Sequence, residues 1–209
     1  MSGAGSGSEA STQAPAYTER LERLSGARWK RWLDVQAPYR WNLRRLRLGR
    51  TLEIGCGVGR CLAHLAGQAV GVDHNAGSVA VARRRGLEAF TPEEFLASPH
   101  AQPGGFDALL LSHVVEHMGE TEALELVRRY LPFLRPGGKV ALITPQERGH
   151  ASDATHVRFV DLAGLERLAA ALGLEVVRRA SFPLTRAFGR LFTHNEFVLV
   201  ARLPHRNRG

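Results

Sequence analysis

The stretch TLEIGCGVGR, residues 51–60, sets glycine at Gly55, Gly57 and Gly59, with the carboxylate of Glu53 just before them. Glycines at alternate positions let the chain bend sharply and bring bare N–H groups against a ligand, because no Cβ blocks the approach. A helix following such a turn points its N-terminal amides at the same spot, which favours an anionic group there. Some twenty positions on, AVGVD (69–73) is an apolar strand ending in Asp73. An acid at that place can accept both hydroxyl protons of a ribose. Further along stand four histidines able to exchange a proton near neutral pH: His113, His117, His150 and His156. Together these residues describe a nucleotide cradle with proton-transfer groups downstream.

The spacing selects among nucleotides. A dinucleotide fingerprint reads G-x-G-x-x-G; here Arg60 occupies the position of its third glycine, and no Gly-Lys-Ser/Thr phosphate loop follows. The elements that must hold the cradle alternate. Strands are expected near 50–55, 69–73, 87–90, 106–112, 138–143, 174–179 and 195–202. Asn75 is placed to cap a helix that Gly86 ends, and Thr91-Pro92-Glu93-Glu94 reads as a capping box with proline at the first helical position. Asp161 precedes a helix with Leu162, Leu165, Leu168 and Leu172 inward and Gly173 at its end. Such alternation predicts a doubly wound α/β sheet.

The pattern E-x-G-x-G-x-G closely resembles the first motif of class I S-adenosylmethionine-dependent methyltransferases of the small-molecule type. The resemblance extends in order through AVGVD, FDALLLSHVVEHM (106–118), LRPGGKVALITP (134–145) and THVRFVDLAGLERLAAALGLEVV (155–177), and so spans residues 50 to 203. It implies a Rossmann-like sheet of seven mostly parallel strands in order 3-2-1-4-5-7-6, the last antiparallel. Position by position it implies that Glu53, Gly55, Cys56 and Gly57 line the methionine part of S-adenosylmethionine, that Asp73 holds the ribose, and that His74 flanks the adenine. Ser112 and His113 should face the donor mostly through backbone atoms. The family's acid near the adenine amine falls at Glu94, which already has a task in the helix cap.

Methyl transfer to a hydroxyl also needs a group to take the acceptor's proton. His156, on the loop after the fifth strand, is the first choice. His117 is the second, with an alternative role as a loop-orienting cap beside Glu116. The spacing His150, Asp153, His156 suggests a divalent metal, but three residues on an irregular loop need not converge, and no metal is expected. Absent motifs set aside some acceptors: there is no Asp/Asn-Pro-Pro-Tyr for exocyclic amines, no Pro-Cys nucleophile, and no glutamate pair of the arginine-methylating type. A small-molecule or glycan hydroxyl remains. The alternatives are an RNA methyltransferase and a catalytically silent donor-binding subunit.

The chain of 209 residues is long enough for one full core, and 44% of it is hydrophobic. No apolar run reaches the about 18 residues that would span a bilayer, and the first residues lack a secretory pattern, so a cytoplasmic address is expected. Cys56 and Cys61 are too few for a disulfide framework and read as small packing residues. The net charge of +8 rests almost wholly on arginine, Lys30 and Lys139 being the only lysines. The arginines lie in scattered pairs, so nucleic acid is not the favoured partner; the oligomeric state is open. Residues 1–15 should be a disordered tail. Residues 16–47 should form a helical lid segment carrying Trp29, Trp32 and Trp41, with a helix from Tyr17 to about Val35 that Pro38 ends. Residues 48–209 form the donor-binding domain.

Overall fold

The computed structural model describes residues 36–65 and 68–205. Its elements run α1 (Ala37–Leu46), β1 (Thr51–Ile54), β2 (Ala69–Val72), α2 (Ala76–Arg84), β3 (Ala89–Phe90), α3 (Pro92–Ala97), β4 (Phe106–Ser112), α4 (Glu120–Tyr130), β5 (Leu134–Pro145), α5 (Glu147–His150), α6 (Leu162–Ala171), β6 (Glu175–Phe182) and β7 (Glu196–Arg202). The seven strands form one sheet in the order β3-β2-β1-β4-β5-β7-β6. β7 runs antiparallel to both β5 and β6, while the pairs from β3 to β5 are parallel. The expected α/β topology is the observed one.

Period-two alternation explains the layers. Leu109 and Leu111 of β4, Val140 and Leu142 of β5, and Phe197 and Leu199 of β7 face one side, where α3, α4 and α6 pack through Phe95, Val127, Leu165 and Leu168. Ala108, Leu110, Ala141, Ile143, Val198 and Val200 face the other, against Leu43 and Leu46 of α1. On that second side Gly71 leaves room for Cys56 and Leu62, whose atoms stand within 2.8 Å of where its Cβ would be. α2 closes the cluster there with Val79 and Ala82. The caps act as expected: Asn75 accepts from Ser78 N, Thr91 and Glu94 form the reciprocal box, and Asp161 accepts from Gly164 N.

One helix was not expected from the sequence: α1, with Pro38 in its first turn. The ring's missing donor costs nothing there, since the first turn's amides have no intrahelical partners. The expected helix from Tyr17 to Val35 and the tail 1–15 lie outside the described residues. The order of the sheet puts the first reversal between β1 and β4, the crevice at whose carboxyl ends ligands bind in open α/β sheets.

Candidate functional site

The glycine turn leaves β1 at this crevice. The amides of Gly55 and Cys56 both donate to Val72 O, at 2.8 and 3.1 Å, and fasten the turn to β2. Gly55, Gly57 and Gly59 all have left-handed φ, at 72°, 53° and 82°. Gly55 and Gly59 also answer to internal packing: a Cβ on Gly55 would stand 2.6 Å from Val114 Cγ2, and one on Gly59 would strike Leu87. Asp73, buried at the end of β2, accepts from Gly57 N at 2.7 Å and from Asn75 N at 2.8 Å. It thereby ties the two turns together. His74 beside it is exposed, with Nδ1 3.8 Å from Asp73 Oδ1.

Glu53 points into the second side of the sheet and is 2% exposed, and its Oε2 has no hydrogen-bond partner. Burial pushes its carboxyl up to about 8, against the hydrogen bond from Cys61 and the nearby charge of Arg60, which lower it. A neutral buried acid with an unpartnered oxygen, beside a turn of left-handed glycines, is one half of the candidate site.

The other half begins where β4 ends. His113 is one of two non-glycine described residues with left-handed φ, at 59°. Such backbone strain persists only where surroundings hold it. Its amide donates to Ile143 O, its Nε2 lies 2.7 Å from Glu196 Oε1, and its Nδ1 lies 3.3 Å from Glu116 Oε1. Burial alone would lower the imidazole; the bonds to Glu116 and Glu196 and their charges overcome it and lift the ring to about 9. His113 therefore faces two carboxylates as a cation, where the sequence suggested mainly a backbone role. Glu196 was missed. Its signal was a lone acid at the head of the apolar run Phe197 to Ala201.

After His113 a tight turn, Val115–His117, carries Glu116 and His117. The carbonyl of Glu116 accepts from both Val157 N and Arg158 N, at 2.9 and 3.1 Å. That clamp draws the loop after β5 across the end of β4. His117 Nδ1 donates to Thr155 O at 3.1 Å, and His156 Nδ1 donates to His150 O at 2.8 Å. The His117 and His156 rings stand 4.8 Å apart, centre to centre. Burial lowers the His117 pKa, so that ring is neutral at neutral pH. The His150, Asp153, His156 trio does not act as a unit, because Asp153 Oδ1 is engaged by the amide and hydroxyl of Thr155. Glu116 takes its place: one ligand atom each of Glu116, His117 and His156 lie within 4.8 Å of one another.

The sheet order and the glycine cradle define a Rossmann-like nucleotide-binding domain. The chain belongs to a methyltransferase family, since residues 16–179 match the one described as a methyltransferase domain. Among curated proteins it is 28% identical over 155 residues to a ubiquinone biosynthesis O-methyltransferase of Xanthomonas campestris, covering 64% of each chain. It thus spans just under two thirds of that relative's length. A methyltransferase of Archaeoglobus fulgidus described as SAM-dependent superposes with a TM-score of 0.61 at 19% identity, covering 89% of this chain and 99% of that one. Magnesium protoporphyrin IX methyltransferase of Synechocystis, with bound SAH, gives 0.63 at 14%, covering 92% and 97%. These structural likenesses establish the fold.

Both cysteines are free thiols near the turn. Burial pushes the Cys61 thiol up to about 12, with the nearby Glu53 carboxylate adding to it, and burial raises Cys56 well above its ordinary value. Only the thiolate is a nucleophile. Iodoacetamide at pH 8 should therefore leave both unmodified in the native protein and label both after denaturation, as read by mass spectrometry. Rapid native labelling of Cys61 would show the thiol to be ionised and the pocket around it open.

Proposed function

We propose that the chain is an S-adenosylmethionine-dependent methyltransferase that methylates a hydroxyl of a small-molecule or glycan acceptor. The observation that carries the reading is the unpartnered carboxyl oxygen of Glu53, buried beside the glycine turn of a methyltransferase-family domain. The residues fit the donor. Glu53 would receive the ammonium of its methionine part, with Gly55, Cys56 and Gly57 lining that part. Asp73 would hold the ribose, as each of its oxygens keeps accepting capacity beyond the Gly57 and Asn75 amides. His74, exposed at the rim, would flank the adenine, and Ser112 and His113 would border the sulfonium.

When bound, S-adenosylmethionine supplies an electrophilic methyl that leaves a neutral thioether on in-line displacement. The protein's task is then positioning and proton removal. The loops after β4 and β5 form the acceptor side. His117 and His156 each donate through Nδ1 to a carbonyl, so each imidazole, when neutral, presents an unprotonated Nε2. That makes His156, seconded by His117, the group assigned to the acceptor's proton. The named function of the Xanthomonas campestris relative, an O-methyltransferase, supports oxygen as the acceptor atom. Against an RNA acceptor stands the pairing of Arg83, Arg135, Arg158, Arg179 and Arg186 with carboxylates, which leaves no single-sign field from those five. No described helix is long and apolar enough to cross a membrane, and a cytoplasmic location, where the donor is made, accords with the proposal.

We also propose that residues 16–47 are a lid on the donor. Its described end supports this: Tyr39 OH donates to His194 O at 2.7 Å, and the ring lies within electrostatic reach of Glu196 and Arg60. Removing residues 1–36 should weaken binding of S-adenosylhomocysteine severalfold by calorimetry, whereas unchanged affinity would reduce the segment to an interaction arm.

Donor binding should release protons. In the free protein Glu53 is neutral below about 8, and an incoming ammonium favours its ionised form, so binding expels a proton in the window between the lowered pKa of the complex and about 8. Calorimetry at pH 6.5 in buffers of different ionisation heat should give close to one proton released per donor bound, fading as the pH passes 8. Glu53→Gln should release none; buffer-independent heats in the wild type would remove Glu53 from the donor site.

On the acceptor side, His156→Ala should lower turnover about 10²–10⁴-fold, with S-adenosylhomocysteine affinity near wild type. His117→Ala should do less. The reverse order would move the proton-accepting role to His117, and wild-type turnover in both would leave transfer to positioning alone.

A further inference from the structure

The acceptor half of the site contains more than two bases require. Glu116 is fully buried, yet neither of its carboxylate oxygens has a hydrogen-bond partner. The His113 ring approaches Oε1 to 3.3 Å without hydrogen-bond alignment. Buried polar groups in folded proteins are nearly always satisfied; His113 compensates the charge of Glu116 but supplies no aligned hydrogen bond, so both oxygens keep their accepting capacity. The two histidines beside it are both fixed in one tautomer. A carbonyl can only accept, so Thr155 O and His150 O require the proton on Nδ1 of His117 and His156 respectively. This leaves Nε2 as the basic nitrogen of each neutral ring. A backbone carbonyl that orients an imidazole through its other nitrogen is the usual support of a metal-ligating histidine.

The three groups also converge from separate elements. Glu116 and His117 come from the turn after β4, and His156 from the loop after β5, locked to that turn by the two amides on the Glu116 carbonyl. One candidate ligand atom of each residue lies within 4.8 Å of the others, whereas tetrahedral ligands at about 2.0–2.1 Å from a cation stand about 3–3.5 Å apart. Small rotations of the half-buried His117 and His156 side chains toward the buried Glu116 would close that gap.

We propose that Glu116, His117 and His156 bind one divalent first-row transition cation, with the acceptor hydroxyl as a further ligand. Two imidazoles and one carboxylate match zinc, cobalt, iron or manganese; calcium and magnesium prefer all-oxygen shells. The binding itself stands on the geometry, but its use rests on the methyltransferase reading. There the cation changes the route of the proton. The acceptor O–H, bound to the cation, gives its proton to solvent. The resulting oxygen anion attacks the methyl carbon as the carbon–sulfur bond breaks and its electron pair stays on sulfur. His117 and His156 then act as ligands, and the cation stabilises the anion that they would otherwise have to generate.

The test uses the full chain without an affinity tag, stripped by chelator and titrated with Co²⁺, followed by its visible absorption and by calorimetry. One equivalent should bind, with the absorption of a nitrogen- and oxygen-ligated ion. His156→Ala and Glu116→Gln should each weaken Co²⁺ binding at least about tenfold. S-adenosylhomocysteine affinity, measured on the same samples, reports that each variant is folded; where Glu116→Gln fails this check, His156→Ala carries the test. No stoichiometric uptake by the wild type, or uptake unchanged in His156→Ala, overturns the proposal. Methyl transfer that survives chelation overturns it as well and leaves the histidine-base reading standing. Co²⁺ uptake without donor binding would instead sink the methyltransferase reading and keep the metal site.

Discussion

The pairing of one imidazole with two carboxylates at the end of β4 governs the rest of the site. His113 lies between Glu116, three residues ahead, and Glu196, at the start of β7. Removing the ring would leave two buried acids uncompensated, and a buried charge stripped of its partner is among the costliest changes in a protein interior. The pair of contacts also explains why a non-glycine residue tolerates φ of 59° there. The turn after β4 is bent by that backbone state, and the bend is what brings Val114 against Gly55 on one side and Glu116 against the β5 loop on the other. The glycine turn and the loop after β5 are thus referred to a single residue.

The two halves of the site differ in electrostatic state although both are buried. At the glycine turn, Glu53 is kept neutral by desolvation, against the hydrogen bond from Cys61, the charge of Arg60 and the Leu62 amide. At the end of β4, His113 is kept charged because two acids outweigh desolvation. A neutral acid costs little to bury and can ionise when a cation arrives. An imidazolium between carboxylates is instead a fixed piece of structure. The site therefore stores its adaptable charge where a cationic ligand would enter and its permanent charge where the backbone must be held.

The sheet was legible in the sequence because most strands carry a short apolar run bounded by a recognisable cap or glycine. Asn75, the Thr91 to Glu94 box and Asp161 act through local hydrogen bonds that depend only on neighbours a few residues away. The glycine turn was legible for its shape, though less so for its cause, since Gly55 and Gly59 are also required by Val114 and Leu87. The helix that Pro38 opens was not read from the sequence, because what holds it lies far away, on the sheet face that buries Leu43 and Leu46.

What sequence could not supply were contacts closed by the fold. Glu196 meets His113 across 83 positions, and His117 meets Thr155 across 38. No spacing rule reaches that far. The His150, Asp153, His156 spacing invited a local cluster, but local hydrogen bonding consumed Asp153 within its own turn, as short acidic side chains in loops commonly do. Glu116 was drawn in instead because its backbone carbonyl, through Val157 and Arg158, determines where His156 must stand. The carboxylate follows its own carbonyl to the place where the loop crosses. The candidate cluster is therefore set by a main-chain group of the β4 turn, the Glu116 carbonyl that holds Val157 and Arg158, and the side chains that gather there are carried by the residues it brings together.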